Sequence, residues 1–190
     1  MTSRPLTLEE YKLILQTMCE PGHCGFRPNP TIALILMIEG SCGLRINDCL
    51  RIRLCDIYKT SDNKFRIKIK EQKTGKYRDS FFYDDLYYKL SEYCVEHGIK
   101  KDERIFQLSS RQINKHLHKI CSYLGLSGNI SSHSFRKLFA TEIFRQSDIY
   151  TISKILNHSN INTTARYLSQ NPNIDSVLEK CGGEFIILDK

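Results

Sequence analysis

No stretch of this chain is apolar for long enough to cross a membrane. The longest apolar run, residues 32–38, falls far short of the roughly 20 residues a spanning helix needs. Positions 1–11 also lack the apolar segment of a secretory leader. The expectation is therefore a cytoplasmic protein with no membrane partner. Eight cysteines are present, yet no two stand at CxxC spacing. Scattered in this way they predict reduced structural thiols rather than a disulfide framework. Cys19, His23 and Cys24 come nearest to a metal cluster but have no further His or Cys at ligand spacing, so no metal is expected. Internal repeats, low-complexity tracts and long linkers are missing too. One domain is expected from 190 residues, and a 41% hydrophobic content suffices for a real core.

What the chain does have is positive charge. Twenty-eight Lys and Arg against 21 Asp and Glu leave +7, with a pI near 9.0. That excess favours a polyanionic partner, most simply nucleic acid.

Helical signals dominate the pattern. Thr7-Leu8-Glu9-Glu10 has the form of a capping box and opens the first helix. Residues 19–30 hold Gly and Pro breakers and read as loop. Residues 31–39 are apolar almost all round, which predicts a central buried helix ending at residues 40–43. Residues 65–70 alternate strictly and predict a strand; residues 73–76 make the turn and residues 77–83 return as its partner. Amphipathic helices follow over residues 84–97, 111–124, 134–146, 149–156 and 161–168. The fold class read from this is α+β, mainly α-helical, with one small antiparallel sheet.

Several polar groups stand out. In the helix that begins near Ser131 or Ser132, His133 and Arg136 share a face while Phe135, Leu138 and Phe139 occupy the opposite one. A first-turn His also lies where unpaired backbone N–H groups favour an anion. Arg45 follows the buried helix, and Asp48 three residues on is placed to fix its guanidinium. Held in that way, an arginine forks two oxygens of one phosphate. Each pair, taken alone, reads more readily as a solvated helical pair. A lysine at the hairpin tip can reach a leaving-group oxygen, but residue reading does not separate Lys73 from Lys70 or Lys76. Tyr167 flanks the apolar seam of Ile161, Ala165 and Leu168. A phenol that attacks phosphorus, two guanidiniums that hold its oxygens, and a histidine and a lysine that move protons would break and remake a phosphodiester without metal.

The segments Gly43-Leu44-Arg45-Ile46-Asn47-Asp48, Lys73-Thr74-Gly75, His133-Ser134-Phe135-Arg136, Leu156-Asn157-His158-Ser159 and Thr163-Thr164-Ala165-Arg166-Tyr167 stand in one order with one spacing. In these the chain resembles the catalytic domain of the tyrosine recombinase (phage integrase) family. The resemblance implies that Tyr167 is the nucleophile and forms a 3′-phosphotyrosine. It further implies that Arg45 and Arg136 stabilise the transition state, aided by His158. Lys73 becomes the general acid for the 5′ oxygen and His133 an acid/base near the tyrosine. No cofactor is implied. Departures are small: Asn157 stands where Gly is usual, Asp48 where Glu is commoner, and Lys137 where His or Arg is usual. Lys68, Lys70, Lys76, Arg78 and Lys137 are expected to touch DNA backbone.

Residues 1–170 would then be the catalytic domain. Residues 171–190 would be a tail of helix plus short apolar strand (residues 185–188) that packs on a neighbouring protomer or back in cis. The N-terminal core-binding domain usual in the family does not precede residue 1, which reads as an excised domain rather than a naturally short member. The expected activity is site-specific recombination, integrating or excising a mobile element, on a double-stranded DNA recombination site, as a homo-tetramer with accessory DNA-bending proteins. A fimbrial-switch-type invertase or Xer-type resolvase is the alternative. A type IB topoisomerase and a non-catalytic DNA-binding regulator stand behind these.

Overall fold

The computed structural model describes residues 3–20, 27–148, 151, 154 and 155. The expected helices at residues 149–156 and 161–168, and the tail, lie wholly or mostly outside the described residues.

Helix α1 (Leu8–Cys19) opens as its sequence predicts. The Thr7 hydroxyl accepts from the Glu10 N–H at 3.1 Å, and the Glu10 carboxylate accepts from the Thr7 N–H at 3.0 Å. Its buried residues Tyr11, Ile14, Leu15 and Met18 recur at helical spacing. Helix α2 (Pro30–Cys42) is capped by Asn29, whose side chain accepts from the Ile32 N–H at 3.0 Å, with Pro30 in the first turn. Every residue from Ile32 to Cys42 is buried, so α2 is the axis of the core. It ends, as expected, within residues 40–43, and it runs through Gly40. The missing Cβ there leaves room for the Tyr11 ring, which would lie 2.7 Å from an added methyl, and the helix continues to Cys42.

A short helix α3 (Ile46–Cys49) and a 3-10 turn (Leu54–Asp56) lead into an antiparallel sheet, β1 (Ile57–Lys59), β2 (Phe65–Lys70) and β3 (Tyr77–Phe81), in the order β1-β2-β3. Ile67 stands opposite Ile57 on one side and Ser80 on the other. The alternation of β2 buries Phe65, Ile67 and Ile69 and leaves Lys68 and Lys70 exposed, as expected. Strand β1 was not anticipated. The sheet rests on α4 (Asp84–Glu96), where the Phe65 and Tyr87 rings stack at 3.9 Å.

Helix α5 (Ser110–Tyr123) buries Ile113, Leu117, Ile120 and Cys121. Helix α6 (Ser132–Gln146) begins after Ser131 and lays Phe135, Leu138 and Phe139 against α2. Phe135 also meets Tyr11 edge-on at 5.6 Å. Truncating such a buried ring costs about 3–5 kcal/mol, so α6 is held firmly against the end of α2.

Candidate active site

The end of α2 organises the site. Gly43 takes φ 59° and ψ 28°, a left-handed conformation that closes the helix and that glycine adopts without strain. The next turn makes Arg45 the N-cap of α3, with extended backbone at φ −79° and ψ 145°. Its side chain therefore leaves the helix rather than running along it. The guanidinium meets the hairpin, where its Nη1 lies 2.9 Å from Glu71 Oε2.

This corrects the expectation for Asp48. Side chains three apart meet when both sit on helical backbone, and Arg45 does not. Asp48 is buried, and its Oδ1 accepts from the Gln72 N–H at 2.9 Å, which docks the base of the hairpin on α3. Glu71 is the carboxylate that holds Arg45. It is 1% exposed and also accepts from Thr74 Oγ1 at 2.8 Å through the same Oε2. Its Oε1 faces Arg78 Nη1 at 3.9 Å. Burial pushes this carboxyl up, but the Thr74 hydrogen bond and the charges of Arg45 and Arg78 more than offset that, leaving it below the usual range.

Arg78 is a second correction. Strand β3 alternates so that Tyr77 and Asp79 face solvent while Arg78 and Ser80 face inward. Only 3% exposed, Arg78 donates to the carbonyls of Cys42 at 2.5 Å and Gly43 at 3.0 Å. It holds the α2 terminus and is buried, not displayed on the surface as a DNA contact was expected to be.

Arg136 comes from α6 and donates to the same Gly43 carbonyl. Phe135, Leu138 and Phe139 are buried as predicted, but Arg136 is itself 4% exposed rather than displayed on an open face. Burial, then the nearby Arg78 and Arg45 charges, bring its pKa down to about 10, so it stays cationic at neutral pH. Glu39, fully buried one turn before Gly43, is pushed by burial well above the usual carboxylate range, only partly opposed by Arg136.

His133 is exposed in the first turn of α6. Partial burial lowers its pKa first, followed by the positive charges of Arg136, Lys137, Arg45 and Lys73. Those four cations, from three separate elements, therefore act on one imidazole. Lys73 is exposed near the hairpin tip, in a turn closed by Gly75 N–H to Glu71 carbonyl and Glu71 N–H to Lys76 carbonyl, both 2.9 Å. Lys76 is exposed beside it. Lys68 and Lys70, with Arg51 and Arg104, line a concavity of about 330 Å³ on the flank of the hairpin. Lys137 donates to the Ser3 carbonyl, so its ammonium is engaged by the chain itself. His158 and Tyr167 lie outside the described residues, as do His23 and Cys24. Among the described residues no group of three metal-ligating side chains occurs, and no helix is long and apolar enough to cross a membrane.

The described part of the site sets Arg45 on Glu71 and Arg136 on the Gly43 carbonyl, with His133 exposed in the first turn of α6 and Lys73 exposed at the hairpin turn. Preorganised guanidinium donors beside a mobile ammonium suit an oxyanion that gains charge, such as a phosphoryl group in transfer. The family model of the phage integrases matches residues 4–173. The chain belongs to the phage integrase family.

Its relatives within the family bear this out. A tyrosine recombinase XerC of Caldanaerobacter subterraneus subsp. tengcongensis is 28% identical over 174 residues, covering 85% of this chain and 46% of its own. The catalytic core of lambda integrase superposes with a TM-score of 0.62 at 22% identity, over 83% of this chain and 96% of that core. A lambda integrase tetramer bound to a Holliday junction gives a TM-score of 0.62 at 20% identity, over 84% of this chain and 48% of that one. The fold is thus that of a tyrosine recombinase catalytic domain, mainly helical with its small antiparallel sheet. The chain spans about half the length of the relatives it matches. For this phage integrase family member, sequence reasoning missed Glu71 and Glu39. Glu71 did leave a signal: it continues the 65, 67, 69 alternation and so falls at an inward position.

Proposed function

We propose that this chain is the catalytic domain of a site-specific DNA recombinase that cuts and rejoins strands through a 3′-phosphotyrosyl intermediate. The observation that carries the reading is that Arg45 and Arg136, two positions that the family motif assigns to phosphate chemistry, are both fixed beside the α2 terminus. Arg136 is held on the Gly43 carbonyl, and Arg45 on Glu71 at the base of the turn that holds Lys73. The Tyr167 oxygen attacks the scissile phosphorus while the bond to the 5′ oxygen breaks. Lys73 delivers a proton to that oxygen, and His133 takes up the tyrosine proton. Arg45, Arg136 and His158 stabilise the charge on the non-bridging oxygens. The phosphodiester energy is kept in the adduct, so rejoining needs neither ATP nor a metal cofactor.

Its working partner is a double-stranded recombination site, bound by four copies with accessory DNA-bending proteins in the cytoplasm. Integration or excision of a mobile element is the main biological reading. The XerC name of its relative favours resolution by an Xer-type enzyme as the second. Residues 1–170 act as the catalytic unit, and residues 171–190 mediate contact between protomers or fold back in cis. Exposed Lys68, Lys70 and Lys76 supply backbone contacts. The test uses a nicked duplex selected from a random-sequence pool by binding to the chain. Wild type traps a covalent adduct in the presence of EDTA, and Tyr167→Phe traps none while binding DNA within a few-fold. An adduct with Tyr167→Phe, or a requirement for magnesium, overturns the mechanism.

A further inference from the structure

The hairpin that carries Lys73 and the turn that carries Arg45 are separate pieces of chain, yet proton delivery and charge stabilisation must occur at one phosphate. We propose that Glu71 is the positioning residue that couples the two, acting as a common anchor for the Arg45 guanidinium and for the turn that presents Lys73. This rests on the recombinase reading above.

Three observations support it. A single oxygen, Glu71 Oε2, meets Arg45 Nη1 at 2.9 Å and Thr74 Oγ1 at 2.8 Å, and Thr74 adjoins Lys73. The Glu71 backbone closes the same turn, accepting from Gly75 N–H and donating to the Lys76 carbonyl. Finally, Asp48, on the helix that follows Arg45, accepts from the Gln72 N–H at 2.9 Å. The hairpin base is thus gripped on both sides of residue 72 by buried carboxylates, and the grip nearer the chemistry is ionic. A buried carboxylate 2.9 Å from the guanidinium holds it at the hairpin base by direct charge attraction. Glu71 also faces Arg78 at 3.9 Å, so its negative charge lies between guanidiniums that would otherwise repel one another.

A coupling residue predicts more than lost activity, because its two arms are separable. A 5′-bridging sulfur in the scissile position leaves as a thiolate and needs no proton, so it bypasses general-acid catalysis while still requiring Arg45. The selected nicked duplex is therefore made in oxygen and sulfur forms, and single-turnover cleavage is measured for each variant. With oxygen, Glu71→Gln slows cleavage about 10²-fold, the lower end of what loss of one preorganised donor costs. With sulfur, part of that loss is recovered. Thr74→Val, which breaks only the arm toward Lys73, is recovered fully, and Arg45→Ala not at all. Amide exchange without DNA gives an independent reading: Glu71→Gln speeds exchange at residues 72, 75 and 76.

Equal losses on both substrates reduce Glu71 to a structural residue and overturn the coupling. So does wild-type cleavage by Glu71→Gln. Thr74→Val, at a less buried position, keeps the proposal falsifiable if Glu71→Gln does not fold. For Thr74→Val, full recovery with sulfur supports the arm from Glu71 to the Lys73 turn, and no recovery refutes it and the coupling with it. If wild type forms no adduct on either substrate, it is the recombinase reading that fails; if wild type cleaves and the variants do not separate, only the inference fails.

Discussion

Replacing Gly43 by alanine tests whether the site depends on the end of α2. Two costs add. Alanine held at φ 59° pays the left-handed penalty, about 1–2 kcal/mol. The new Cβ would also stand 2.3 Å from Phe139 Cδ1 and 2.4 Å from Cε1, inside any real contact, so a buried ring on α6 must move. Overpacking of that kind adds about 1–3 kcal/mol. Gly98→Ala isolates the first cost, because Gly98 has φ 65° and nothing within 4 Å of an added Cβ. Urea unfolding should therefore show Gly43→Ala less stable than Gly98→Ala by about 1–3 kcal/mol, the overpacking component alone. Because Arg136 lies one turn before Phe139 on α6, cleavage by the folded Gly43→Ala variant should also fall at least about tenfold, whereas Gly98→Ala cleaves normally. Trimming the obstructing ring in Gly43→Ala/Phe139→Leu should recover part of both losses. Equal destabilisation by the two glycine variants, or normal cleavage by Gly43→Ala, would refute the reasoning.

Three further outcomes are expected. Arg45→Ala and Arg136→Ala should each slow single-turnover cleavage by roughly 10²–10³ with DNA still bound, and normal rates in either would remove that residue from the site. Arg78→Gln should lower the urea midpoint and leave the salt dependence of DNA binding unchanged. Lys68→Gln or Lys70→Gln should do the reverse, reducing the slope of log affinity against log salt by about 0.9 for each phosphate no longer neutralised; the converse pattern would return Arg78 to the DNA surface. His133 and His116 both have pKa values lowered by burial and by neighbouring cations, so the unfolded chain takes up protons first as pH falls below 6.5. Stability should fall with pH in that window, and His133→Asn should make the fall shallower; an unchanged pH slope of the urea midpoint would contradict it.

Much of this architecture was legible because its signals are local. The capping box at Thr7, the alternation of residues 65–70 and the all-round apolar run of α2 each appear in the structure as written in the chain. Strand β1 was not legible: three residues after a 3-10 turn are too few for any periodicity. The packing of the Tyr11 ring against Gly40 was not legible, because the two are remote in sequence. At the site, the family motif marked Arg45, Lys73, His133 and Arg136; the structure ties Arg45 to the Lys73 turn through Glu71 and sets Arg136 on the Gly43 carbonyl. The motif said nothing of what fixes them. The holders of Arg45 and of the α2 terminus, Glu71 and Arg78, act across long sequence separations, and β3 has no apolar alternation to reveal that Arg78 points inward.

The Gly43 carbonyl, which accepts from two arginines, has a consequence for how the site is assembled. Arg78 reaches it from 35 residues away and Arg136 from 93. A chain in which α6 is not packed on α2 therefore lacks one of the two guanidiniums at that carbonyl. The same holds for a chain cut in two. A break in the exposed turn at residues 100–103 would leave Gly43, Glu71 and Arg78 on one piece and His133 and Arg136 on the other. On the recombinase reading neither piece alone would hold the full site, and strand cleavage is expected only when the two halves reassemble, a basis for a split enzyme switched by proximity.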